Sequence, residues 1–127
     1  MKRLLILTAA MELGAGVALL CCPSAAVKLL FGSPLDAPAA AALGRVAGAA
    51  LFSLGVACWF ARGDAQSRAA KGVISAMTFY NLGAVAVLGV AGIHLRPVGV
   101  ALWPAVILHA AMTVWCVACL RRKPASA

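Results

Sequence analysis

Acidic residues are almost missing from this sequence. Three of its 127 positions carry Asp or Glu, against 11 Lys and Arg, and charged residues together reach only 11%. Soluble domains carry about 25% charged residues, so an ordinary water-facing surface is excluded. The sequence also has no Ser-His-Asp pattern, no cluster of metal-ligating residues and no glycine-rich phosphate loop. Its water-accessible stretches are too short to build a soluble active site, which makes an enzyme the least supported functional class. The net charge of +8 would point to nucleic acid in a soluble protein. No basic patch with interleaved aromatics accompanies it, so nucleic acid is not an expected partner. No cofactor is implied either.

What the chain has in abundance is apolar surface. Its hydrophobic fraction is 65% and its mean hydropathy +1.02. A soluble domain of this size leaves a large share of its surface in water and cannot hide so much. Four apolar stretches, 4–22, 38–61, 72–93 and 97–120, reach the roughly 20 residues a helix needs to cross a bilayer. Helices are required because lipid offers no partner to a backbone N–H or C=O. The predicted architecture is one membrane domain over residues 1–127: an all-α bundle of four transmembrane helices, up-down-up-down, joined by short loops.

Charge sets the expected orientation. Lys2, Arg3, Arg62, Arg68, Lys71, Arg121, Arg122 and Lys123 fall on one side, Lys28 and Arg96 on the other, and Arg45 inside a span. The excess of positive charge predicts both termini in the cytoplasm of a multi-pass protein of the cell (inner) membrane. Trp59 and Trp115 are expected at the inner interface and Trp103 at the outer one. Asp36 is expected to cap the second helix, with Pro38 in its first turn. Pro97 is expected to open the fourth helix and Pro104 to kink it. The stretch 24–31 after Pro23 reads as a short interfacial helix. Lys2-Arg3, the apolar run and Ser24-Ala25-Ala26 loosely fit a secretory signal, but Glu12 inside that run argues that the segment is retained.

Four polar residues stand where lipid is expected, one on each span: Glu12, Arg45, Asn81 and His109. Such groups should face the bundle and find partners. At about 1.5 Å of rise per residue, Glu12, Asn81 and His109 share a layer near the midplane, while Arg45 lies roughly 24 Å in. Helical spacing adds Lys71, Ser75 and Thr78 to the face of Asn81, Thr113 and Cys116 to that of His109, and Thr8 and Gly16 to that of Glu12. In a functional reading, Glu12 and His109 form a proton-exchanging or ligand-holding site, Asn81 supplies a hydrogen bond and Arg45 guards the outer side. In a structural reading, Glu12 pairs with Arg45 and Asn81 bonds His109, fixing helix register. Gly44 and Gly48 permit close helix approach and are expected to serve a homodimer.

Cys21, Cys22, Cys58, Cys116 and Cys119 read mainly as small apolar fillers. The adjacent thiols Cys21 and Cys22 also suit a soft metal, and the pair resembles the cysteines through which bacterial mercuric-ion transport proteins take up their ion. Gly44-Arg45-Val-Ala-Gly48 through Ala61-Arg62, Tyr80-Asn81 and Trp103-Pro104-Ala105 resemble small bacterial four-helix integral membrane proteins of unknown function. That resemblance implies the four-span architecture and no activity.

The leading expectation is a small-solute or proton-coupled binding or transport module using Glu12, Asn81 and His109, with Thr78 and Thr113 beside them. A non-catalytic subunit of a larger membrane assembly is the alternative, and thiol-relayed metal transport comes after it. Expected partners are the bilayer, a small-molecule or lipid ligand, and a second copy or a larger assembly.

Overall fold

The computed structural model describes residues 1–121; Arg122 and Lys123 lie outside the described residues. The chain is helical: α1 (Lys2–Cys21), α2 (Pro23–Phe31), α3 (Pro38–Ala61), a 3-10 turn (Arg62–Asp64), α4 (Arg68–His94) and α5 (Leu102–Arg121). Helices α1, α3, α4 and α5 are long and apolar enough to cross a membrane. Large apolar side chains point away from the bundle on each of them, among them Phe60 at 77% exposure and Val114 at 70%. Lipid is the solvent that tolerates such a surface.

Local chemistry sets the helix ends. Pro23 and Pro38 each occupy the first turn of their helices, where a missing N–H costs nothing. The N-cap of α3 is Ala37 with no side-chain hydrogen bond, so Asp36 does not cap it. Helix α4 begins before the apolar run does, because Ser67 caps it by accepting from the Ala70 N–H. Helix α2 stops at Gly32, whose φ of +78° suits a residue without a Cβ.

The fourth span starts later than Pro97. The backbone donors of Gly99 and Ala101 go to the Leu30 and Leu29 carbonyls, which satisfy the open end of α2 instead of building a helical turn. A side chain at Gly99 would lie 2.1 Å from the Leu29 carbonyl oxygen, so this strap requires glycine. With α5 starting at Leu102, Pro104 falls in its first turn. There the N–H is unpaired in any helix, and the expected kink has no hydrogen bond to break.

The long helices associate as two pairs, α1 with α3 and α4 with α5. Glycines bring the first pair together. A Cβ at Gly48 would lie 2.9 Å from the Gly16 carbonyl oxygen, and one at Gly55 2.9 Å from the Leu13 nitrogen. Rising numbers in α1 meet falling numbers in α3, so the two run in opposite directions. The partner of Gly48 is thus α1 of its own chain, while Gly44 faces Pro23 and Leu35. Both glycines thus make close contacts within the chain. In the other pair Gly92 receives Leu102 and Trp103, again antiparallel.

The two pairs meet at one end. Leu4, Leu5 and Ala9 of α1, Cys58 of α3, Ala70, Ile74 and Met77 of α4, and Met112, Cys116 and Cys119 of α5 form one buried cluster. Lys2, Arg3, Arg62, Arg68, Lys71 and Arg121 gather around that end. There Arg62 also stacks on the Trp59 ring, 3.4 Å from its centroid, and donates to the Trp59 carbonyl. The stack places a cation and an aromatic where a membrane interface favours both. Lys28, Arg45 and Arg96 lie toward the opposite end.

Overpacking the glycine contact should separate the first pair. Gly48→Leu is expected to destabilise the protein by about 1–3 kcal/mol in mixed-micelle unfolding. Gly14→Leu, on the same pair but with nothing within 4 Å of its added Cβ, should change stability by less than about 0.5 kcal/mol.

Candidate functional site

Beyond the buried cluster the two pairs diverge, and a cavity of about 770 Å³ opens between them. The cluster ends at Ala9, Met77 and Met112; the first cavity-lining residues past it are Met11 and Glu12 on α1, Phe79 and Tyr80 on α4, and His109 on α5. These side chains make the floor. The walls above are apolar, with Ala15, Ala18, Val87, Leu88 and Ala105 among them, and Ala26 and Leu30 of α2 close the far end. Phe79 is 76% exposed and Val87 67%, so the cleft is open along the flank of α4 toward the lipid side.

Most polar residues of the helices are satisfied without the cleft. Ser75, Thr78 and Thr113 each donate to the carbonyl four residues earlier, Lys71, Ile74 and His109 respectively, at 2.8–2.9 Å. Such back-bonding is the usual answer of a hydroxyl in an apolar helix. Thr78 and Thr113 therefore support the helices that carry Asn81 and His109, and their donors are not free for a ligand.

Asn81 and His109 answer to each other. The Asn81 Nδ2 donates to the Met77 carbonyl at 2.6 Å, and its Oδ1 lies 2.7 Å from His109 Nδ1. The first bond fixes which end of the amide is oxygen, so the second must carry its proton on His109 Nδ1. In the neutral ring Nε2 then holds a bare lone pair. Tyr80 fixes the ring from another side, edge to face at 5.7 Å between centroids, a favoured aromatic geometry. Asn81 itself is 1% exposed; its work is to hold His109.

Glu12 differs from all of these. It is 4% exposed, it makes no hydrogen bond or ion pair among the described residues, and it lines the cavity. No side-chain oxygen or nitrogen sealed from all solvent lacks a partner among the described residues, so its carboxyl is open to the cleft. Arg45 does not reach it. That residue is exposed on the outer face of α3, one turn before Gly48 and next to Gly44, which meets Pro23. The expected Glu12–Arg45 pair does not form.

Tyr80 enters the site although its sequence position gave no polar signal, since a tyrosine in an apolar run reads as filler. Cys21 and Cys22 are exposed at the α1–α2 joint, while Cys58, Cys116 and Cys119 are buried in the cluster. Among the described residues no three His, Cys, Asp or Glu come together as a metal-ligand group.

The geometry thus separates the polar residues that complete the helices from three that line the cleft, Glu12, Tyr80 and His109. Compared with protein-family models, characterised proteins and solved structures, the chain matches none.

The tautomer is directly measurable. Nitrogen NMR of labelled histidine should show His109 protonated at Nδ1 in the neutral ring, and Asn81→Val should release that preference. The same substitution should cost about 0.6 kcal/mol of stability, the average for hydrogen bonds between membrane helices, and at most about 1.7 kcal/mol.

Proposed function

We propose that the chain is a membrane-embedded binding module, of the kind that carries small amphiphilic solutes, with its site at the floor of the cleft between the helix pairs. The observation that carries this reading is the open valence of Glu12, Tyr80 and His109 at the base of an otherwise apolar cavity. A volume of about 770 Å³ lies in the range of roughly 300–1,000 Å³ typical of small-molecule sites, which are likewise apolar with few, convergent polar groups. Packing alone would not leave a buried carboxyl without a partner, since that is costly in an apolar medium. Proton exchange at Glu12 or His109 supplies a means of coupling occupancy to a proton gradient.

On this reading the clustered end, where most of the basic residues gather, is the cytoplasmic one, as the positive-inside bias favours. The cleft then faces the outer half of the bilayer, and its open flank admits a solute from the lipid.

Occupancy is testable with a neutral probe. A photoactivatable diazirine alcohol, irradiated with the protein in lipid nanodiscs, should form adducts concentrated at Glu12 and Tyr80. Gly83 lines the cleft and has nothing within 4 Å of an added Cβ, so Gly83→Phe should fill the space without disturbing the fold and remove those adducts. Gly89→Phe, equally free of neighbours but off the cleft wall, should leave them. Adducts scattered over the lipid-facing residues and indifferent to Gly83→Phe would contradict the proposal.

A further inference from the structure

The cleft has a sign. Its wall carries one carboxyl group, Glu12, and no Lys or Arg. Arg45 is exposed on the outside of α3, and the other Lys and Arg among the described residues lie at or beside helix ends. The remaining polar groups of the floor are mostly acceptors. His109 has committed its Nδ1 proton to Asn81 and turns an unprotonated nitrogen to the space. Tyr80 can both accept and donate through its hydroxyl, which is the one neutral donor available there.

An anionic solute would meet the Glu12 carboxyl and a single donor. A neutral solute could donate a hydrogen bond to that carboxyl but would leave its charge uncompensated in apolar surroundings. A cation with N–H donors answers both deficits at once: its charge pairs with Glu12, and its protons go to the carboxyl, to His109 Nε2 and to the Tyr80 oxygen. Phe79 and Tyr80 stand on the same wall, and aromatic rings add attraction for a desolvated cation. The rest of the lining, Ala15, Ala18, Val87 and Leu88 among it, demands an apolar body. Building on the cleft reading, we infer that the occupant is a lipophilic organic amine in its protonated form, seated with the ammonium group at Glu12.

The buried position of Glu12 is the independent support for a ligand. A carboxyl 4% exposed, without a partner among the described residues and lining a cavity, is the feature that charge complementarity with an amine explains. Arg45 would have removed the need for a ligand had it reached Glu12, and it points elsewhere.

The test compares two probes that share an apolar body: a radiolabelled phenylalkylamine and its N-acetyl derivative, a neutral amide that lacks the cation. Binding is measured to the full chain in lipid nanodiscs, with lipid-only discs subtracted. The wild type should hold the amine at least about thirtyfold more tightly than the amide, as expected when one partner of a desolvated charge pair is missing. Glu12→Gln should bring the amine down to the amide's level, while Glu12→Asp should restore part of the preference. The His109 Nδ1–H signature retained in Glu12→Gln serves as the check that the variant folds. An amide that binds the wild type as tightly as the amine overturns the inference, and so does a preference that survives Glu12→Gln. If Gly83→Phe still abolishes diazirine labelling in either case, the cleft reading stands and the ligand class alone is wrong. If neither probe binds above lipid-only discs, the inference also fails, and the cleft reading fails with it only where diazirine labelling is absent too.

Discussion

A polar group inside apolar surroundings must find a partner, and in this chain that constraint separates what holds the bundle from what it offers to a ligand. Ser75, Thr78 and Thr113 turn back to their own helices. Asn81 divides itself between the Met77 carbonyl and His109. Each of these contacts is complete, and each stiffens the framework. Glu12 is left over. Its carboxyl has no partner among the described residues, and it lies where the two helix pairs part.

The parting follows from where close packing is possible. Gly16, Gly48 and Gly55 let α1 and α3 approach until backbone meets backbone, and Gly92 accepts the side chains of α5 against α4. Between the pairs the filling is of ordinary side chains, concentrated at the end with the most basic residues. Further along, many of the lining residues are small, Ala15, Ala18, Gly83, Ala84 and Ala105 among them, and the gap stays open. Small residues thus do two opposite things here: on the α1–α3 face they close a contact, and across the cleft they leave one open. The floor of the cleft lies just past the buried cluster, and Tyr80 and His109 stand there, set edge to face.

Much of this was legible in the sequence. Four helices long and apolar enough to span a membrane follow from run lengths and from the scarcity of charge, and Pro38 marks the start of α3. Glu12, Asn81 and His109 stood out because each interrupts an apolar run, and Asn81 and His109 do meet. Other features depend on distant contacts that spacing cannot convey. Arg45 has the same signature as Glu12, a charge within an apolar run, and only the rotation of α3 about its axis shows that one faces out and the other in. Pro97 reads as a helix start, yet the residues after it spend their N–H groups on α2. Gly44 and Gly48 announce close packing without naming the partner. Tyr80 carries no such signal, because a lone tyrosine in an apolar span resembles core filler and only the cleft beside it gives the hydroxyl a role.

The central claim is that Glu12 is buried from water yet open to a space reachable from lipid. A hydrophobic carbodiimide, which dissolves in the bilayer and modifies carboxyl groups there, measures that directly, and Glu12 is the sole glutamate of the chain. Peptide mass spectrometry after treatment in nanodiscs should find Glu12 modified in the wild type and protected in Gly83→Phe. A Glu12 that stays unmodified, or one modified equally in both proteins, would contradict the account.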